Sequence, residues 1–182
     1  ICGRRSAYTG ALGTSVLKLF DLTAASTGLN EKQARAAGVA YDKVVTYSAS
    51  HASYYPGARN MTVKTLFDPA SGRILGAQIV GFDGVDKRMD VLAAAIRAGL
   101  TAEQLTELDL AYAPPYGSAK DPVNMAGYVI ENVRAGLVEQ HHWDAVAELP
   151  ADGSVILLDV RTPGEVRKQG LLRSDALHIP LD

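Results

Sequence analysis

The amino-acid sequence predicts an α+β fold, an antiparallel sheet with flanking helices, followed by an incomplete α/β segment. Three observations carry that expectation. Residues 61–82 hold two alternating apolar and polar runs joined by a turn bearing proline and glycine, the pattern of a hairpin. Val85, Met89, Leu92 and Ile96 recur at helical spacing, so a helix lays one apolar stripe on a neighbouring surface. After Gly136 the pattern changes to a continuous apolar run and then a capped helix, the succession of an α/β unit.

Along the chain, TSVLKLFDLTAASTGL from Thr14 to Leu29 alternates apolar with polar residues and reads as one long half-buried strand. Asn30 can cap a helix, Gln33 stands where a capping box wants Glu or Gln, and Gly38 supplies a left-handed stop. A strand is expected from Lys43 to Ser50, then the hairpin of Met61–Phe67 and Ile74–Phe82 around DPASGR. The helix carrying the apolar stripe ends at Gly99. Thr101 with Gln104 makes a second capping box, and Asp121-Pro122 starts a helix running to about Arg134 and closed by Gly136. Beyond it, Trp143–Leu149 reads as a short helix, PADGS as a loop and Val155–Val160 as a buried parallel strand. Thr162-Pro163-Gly164-Glu165 then caps another helix. The change of style places a domain boundary near 136 to 140, giving domains of 1–138 and 139–182.

Composition narrows the function classes. Hydrophobic residues at 47% and charged residues at 21% are those of a globular chain with a real core. Lys plus Arg number 18 against 20 for Asp plus Glu, a formal charge of -2, so no basic field draws in nucleic acid. Cys2 is the only cysteine, which excludes an internal disulfide or a CxxC pair and suits a reducing, cytoplasmic setting. No apolar run approaches the roughly 18 to 20 residues that cross a bilayer, and ICGRRSAYTG lacks a signal-peptide core. Ile1 at one end and HIPLD at the other read as cut ends.

The stretch Ala111–Tyr128, AYAPPYGSAKDPVNMAGY, is the least ordinary. Pro114 and Pro115 stiffen the backbone between Tyr112 and Tyr116 and so can hold phenols at set positions. A neutral phenol can donate a hydrogen bond to a thiolate or protonate a departing one. Alternatively, the rings pack at a domain edge with wet hydroxyls. SASHASYYPGARN, Ser48–Asn60, is a second tyrosine-bearing loop, with Tyr54 and Tyr55 able either to complete a neighbouring subunit's site or to pack at a strand end. His51, His141, His142 and His178 show no metal-ligand spacing, and no metal is assigned. Lys87-Arg88 near a helix start could meet an anionic ligand, but in the absence of a phosphate loop it reads as a solvated basic pair.

At GTSVLKLFDLTAASTGLNE, HASYYPGA, ILGAQIVGFDGVDKRMDVLAAAI and AYAPPYGSAKDPVNMAGY, the sequence resembles the C-terminal dimerisation domain of coenzyme A-disulfide reductases and related NADH oxidases. These are pyridine nucleotide-disulfide oxidoreductases, and the likeness covers nearly all of residues 1–136. The opening ICGR resembles the exit from a preceding flavin domain. From Glu139, VILLDVRTPGEV and HIPLD resemble the first part of a rhodanese domain. The resemblance implies a homodimeric flavoprotein that uses FAD and NADH or NADPH to reduce coenzyme A disulfide, a persulfide or oxygen. In it the dimerisation domain completes the partner's active site with two tyrosines. Their best matches here are Tyr54 and Tyr112 as catalytic phenols, with Tyr55 and Tyr116 as confusable neighbours. It also implies that the flavin and nicotinamide sites and the redox cysteine precede Ile1, that a sulfur-carrying cysteine follows Asp182, and that Cys2 is neither. The chain alone is then expected to bind no cofactor. Two alternatives are a non-catalytic rhodanese-type sulfur-relay or binding module, and an independent small-ligand binding domain.

Overall fold

The computed structural model describes residues 3, 5 and 7–181; Cys2 lies outside the described residues, with most of the ICGR opening. Two units are distinguished, residues 1–139 and 140–182.

In the first unit, β1 (Ser15–Leu19) and β2 (Leu22–Gly28) replace the single long strand expected over Thr14–Leu29. They pair antiparallel with Leu19 opposite Leu22, so the chain reverses at Phe20-Asp21. Phe20 takes φ 52°, a left-handed conformation that costs a bulky residue energy and that glycine would ordinarily occupy. An alternating pattern with no glycine at the corner gives no sign of such a reversal. Asn30 caps α1 (Glu31–Ala36) with the expected reciprocal pair of bonds, Gln33 N–H to Asn30 Oδ1 at 2.9 Å and Asn30 N–H to Gln33 Oε1 at 3.0 Å. Then come β3 (Asp42–Ala49), β4 (Asn60–Phe67) and β5 (Ile74–Gly81), the last two forming the expected hairpin.

The five strands form one antiparallel sheet in the order β1-β2-β5-β4-β3. Strand alternation sends Ala25, Val44, Met61, Val63 and Ile79 to one face, where they join a single buried cluster with Met89, Leu92, Leu105, Val123 and Ile130. Those partners lie on α2 (Val85–Ala98), α3 (Ala102–Thr106) and α4 (Pro122–Arg134). Removing that apolar surface from water is the main driving force for the arrangement. Val85, Met89 and Leu92 of the expected stripe are buried, and Ile96 is half-buried against the cluster. The α3 and α4 backbones come close because Gly127 has no side chain: a Cβ there would lie 2.7 Å from the Ala102 carbonyl oxygen.

On the opposite face Glu31 accepts from Lys43 Nζ at 3.1 Å and is paired with Lys64 as well, which ties α1 to β3 and β4. Burial raises the pKa of this carboxyl, but the hydrogen bonds and charges of Lys64 and Lys43 outweigh burial and lower it from 4.5 to about 2.

In the second unit a 3-10 helix spans Trp143–Glu148, where a short helix to Leu149 is expected. β6 (Leu158–Asp159), α5 (Pro163–Gln169) and β7 (Leu177–His178) follow as a strand, a helix and a strand, with β6 and β7 parallel. Thr162 and Glu165 cap α5 as expected. The apolar run Val155–Val160 is not a buried strand, however. Its strand is limited to Leu158 and Asp159, with further bonds from Leu177 N–H to Leu157 O at 2.8 Å and from Leu181 N–H to Val160 O at 3.3 Å, and Ile156 and Leu158 are 74% and 55% exposed. Asp159 accepts from Arg161 Nη2 at 2.7 Å, and Arg161's hydrogen bonds hold its carboxyl down to about 2.

Since Glu31 is depressed in the folded state, its contribution is complete above about pH 4.5 and is lost as pH falls toward about 2. Over that window the unfolded chain binds the proton first. Urea unfolding followed across it is expected to show a decline in wild-type stability that is shallower in Glu31→Gln.

Candidate functional site

Two loops at one end of the sheet carry the tyrosines, residues 50–59 between β3 and β4 and residues 107–121 between α3 and α4. Each is held by its own backbone bonds. Ser50 N–H donates to Arg59 O at 2.9 Å and Tyr55 N–H to Ala52 O at 2.9 Å. Tyr116 and Gly117 N–H both donate to Ala113 O, at 2.8 and 3.1 Å, in a turn through Pro114-Pro115. The loops are joined where Ala52 N–H donates to Gly117 O at 2.9 Å.

Beneath both lies Arg88, 1% exposed, from the second turn of α2. Its guanidinium pairs with Asp121, Nη2 to Oδ2 at 2.9 Å and Nε to Oδ2 at 3.1 Å. It also donates to three carbonyls: Nη2 to Ser50 O at 2.9 Å and to Tyr116 O at 3.4 Å, and Nη1 to Gly84 O at 3.2 Å. Asp121 in turn caps α4 by accepting from Val123 N–H at 3.1 Å, and its own N–H donates to Asn124 Oδ1 at 3.0 Å. Asn124 Nδ2 carries the network on to the carbonyls of Leu105 and Leu108, at 2.9 and 3.1 Å. Arg88 is therefore not the solvated residue expected from the sequence. A buried charge persists only when it is paired and its donors are satisfied, as here. The clue available in the sequence is its position, since residue 88 shares the helical face of Val85, Leu92 and Ala95.

The expected pair comes together on this support. Tyr54 Oη and Tyr112 Oη are 3.3 Å apart, although 58 residues separate them in sequence. Tyr54 is 75% exposed and Tyr112 49%. The hydrogen bond with Tyr112 is the main cause that raises the Tyr54 phenol above its ordinary value of 10.0. A pair of hydroxyls shares one proton in its mutual bond and keeps a second proton for an outside acceptor, so the pair can donate outward while each oxygen supports the other. Tyr55 and Tyr116 take other parts. The Tyr55 ring meets His51 edge-on at 6.0 Å, and Tyr116 supplies the carbonyl that Arg88 holds. His51 Nε2 lies 3.3 Å from Pro56 O, which can only accept, and its Nδ1 lies 3.1 Å from Ser50 Oγ. Lys87 Nζ reaches the carbonyl of Ala111 at 3.4 Å, immediately before Tyr112. In the second unit an open cleft of about 680 Å3 is lined by apolar side chains, among them Trp143, Leu158 and Leu172, and by Asp159, Arg161 and Gln169, with Arg161 donating to both of the other two.

Residues 14–122 match the profile of the pyridine nucleotide-disulphide oxidoreductase dimerisation domain. The chain belongs to that family. Among curated members of this kind, the coenzyme A disulfide reductase of Staphylococcus haemolyticus is 46% identical over 121 residues, which is 66% of this chain and 27% of that protein. Among solved structures, reduced Bacillus anthracis CoADR-RHD superposes with a TM-score of 0.90 at 50% identity, covering 97% of this chain and 31% of that one. An NAD-dependent persulfide reductase from A. fulgidus gives a TM-score of 0.85 at 40% identity, covering 98% and 31%. The chain thus spans about a quarter to a third of the relatives it matches. The α+β sheet with its flanking helices is the fold of this dimerisation domain. The reading as a rhodanese-type relay module gains no support from these likenesses.

Two outcomes follow from the geometry. Arg88→Met leaves the Asp121 carboxylate buried without its partner and is expected to cost about 3–5 kcal/mol in urea denaturation. Tyr112→Phe removes the hydroxyl that raises Tyr54, and NMR titration of labelled tyrosine rings should find Tyr54 returned toward 10.0.

Proposed function

We propose that this chain is the dimerisation and active-site-completing domain of a FAD- and NAD(P)H-dependent coenzyme A-disulfide or persulfide reductase. In this reading, residues 1–138 form that domain, two copies associate as a homodimer, and each copy lends Tyr54 and Tyr112 to sulfur chemistry housed in the other. The observation that carries it is the hydroxyl pair at 3.3 Å, presented by two braced loops and still open to solvent. A phenol facing water offers a substrate little that water does not. Covered by another subunit, the same donor acts in a water-poor site, where it is worth far more to a developing charge. Self-association is supported by a mainly apolar row across the sheet face that α1 covers only in part. Leu17, Ala24, Val80, Thr62 and Tyr47 stand in cross-strand register, with Leu17 64% and Tyr47 74% exposed.

The chemistry assigned to the phenols is donation to sulfur. A cysteine thiolate from elsewhere in the reductase attacks a coenzyme A disulfide, forms one S–S bond and breaks the other. The departing sulfur keeps the electron pair of the broken bond, and Tyr54 or Tyr112 donates a hydrogen bond, or a proton, to it. A persulfide is handled alike, with the outer sulfur attacked or released.

FAD and NAD(P)H enter as cofactors of the whole reductase, where they supply the reducing electrons. At the start of α4 the Asp121 carboxylate already accepts from the Val123 amide, the kind of helix-terminal donor that a dinucleotide's phosphates would need. No residue here is assigned to either cofactor. Residues 139–182 are read as the start of a rhodanese-like domain, supported by β6, α5 and β7 in parallel strand–helix–strand order. No described helix is long and apolar enough to cross a membrane.

In the intact reductase, Tyr54→Phe and Tyr112→Phe are each expected to slow turnover of coenzyme A disulfide or persulfide on the order of 10²-fold, with the dimer unchanged in sedimentation. Unaltered rates would remove the role given to the phenols. Assays with disulfide, persulfide and oxygen side by side identify the acceptor.

A further inference from the structure

We propose that Arg88 is a positioning residue for the tyrosine pair: its buried guanidinium, anchored on Asp121, clamps the carbonyls of Ser50 and Tyr116 and so sets the distance between the Tyr54 and Tyr112 hydroxyls. The inference rests on the reading of those phenols as one site.

The geometry assigns this role to Arg88 specifically. Ser50 opens the loop that carries Tyr54 four residues later, and Tyr116 closes the turn that begins after Tyr112. One nitrogen, Nη2, reaches both loops, at 2.9 Å to Ser50 O and 3.4 Å to Tyr116 O, while also lying 2.9 Å from Asp121 Oδ2. A single backbone bond, Ala52 to Gly117, is the other described link directly between the loop backbones. One bond leaves a hinge about its own axis, and the clamp adds a second point, which fixes the rotation that would carry one hydroxyl away from the other. The tyrosines are too exposed to be held by packing, so their spacing depends on the backbone beneath them. Gly84 makes room for the clamp, since a Cβ there would lie 2.1 Å from Arg88 Nη1. Lysine cannot substitute. It keeps the positive charge opposite Asp121, but its Nζ stands where the guanidinium carbon stands, one bond short of Nη2, and it has no counterpart to the Nε–H that donates to Asp121.

Arg88→Lys is the primary test, because it keeps the ion pair while removing the fork. In the 182-residue chain, NMR titration of labelled tyrosines should show Tyr54 falling toward 10.0, as in Tyr112→Phe, while unfolding stays cooperative. A folded Arg88→Lys chain in which Tyr54 titrates as in the wild type overturns the proposal. If that variant does not fold, Gly84→Asn gives the answer by the same readout. Asparagine tolerates the left-handed conformation at this position, where φ is 66°, and its Cβ displaces the guanidinium without removing it. In the intact reductase, Arg88→Lys should lower kcat/KM for the disulfide by tenfold to about 10²-fold. It should add roughly twofold at most when Tyr54 and Tyr112 are already phenylalanine. The same loss in the double-phenylalanine protein would mean that Arg88 acts independently of the pair, and would refute the inference. If instead the phenylalanine variants keep full activity while Arg88→Lys still shifts the Tyr54 titration, the clamp stands and the catalytic reading of the phenols fails.

Discussion

The buried ion pair between Arg88 and Asp121 is the point at which the first unit's helices and loops are referred to one another. Arg88 comes from α2, Asp121 starts α4, and the remaining donors of the guanidinium end on carbonyls of the two tyrosine loops and of Gly84. A charge in such a place is costly to desolvate, and the cost is offset only when every donor finds an acceptor in good geometry. That requirement makes the pair a weak source of net stability and a strong constraint on shape. If either loop moved, the guanidinium would lose one of the carbonyls that take the place of water around its charge.

The rest of the unit can be understood from that constraint outward. The sheet and the three helices supply the apolar burial that makes the end of α2 a rigid platform. Gly127 lets α3 and α4 approach, and Asn124, in the first turn of α4, bonds to the carbonyls at the end of α3, which fixes the start of the second tyrosine loop. The hydroxyl pair at the surface is the outermost product of this order. Two phenols exposed to water would normally sample many positions. Here they are held 3.3 Å apart because their backbones are not free. This is the expected arrangement for a domain whose family name is dimerisation: rigid underneath, with polar groups and an exposed row of Leu17, Val80 and Tyr47 on the sheet.

The sequence alone determined the elements whose signals are local. The capping boxes of Asn30 with Gln33, Thr101 with Gln104 and Thr162 with Glu165 all formed, and Asp121 caps α4 ahead of Pro122. So did the β4–β5 hairpin and the glycine stop at Gly99, since turn and cap chemistry is decided within a few residues. The family motifs also singled out Tyr54 and Tyr112. Only the tertiary structure decided three things. It folded Thr14–Leu29 into a hairpin, because sheet pairing tolerated a left-handed Phe20 that no local rule favours. It left much of Val155–Val160 exposed, because burial of an apolar run depends on neighbours that the run itself does not encode. And it buried Arg88, because the partners that satisfy a guanidinium lie 33, 38 and 28 residues away, at Asp121, Ser50 and Tyr116. Local chemistry can be read from neighbouring letters, whereas the environment of a charge is set by everything that folds around it.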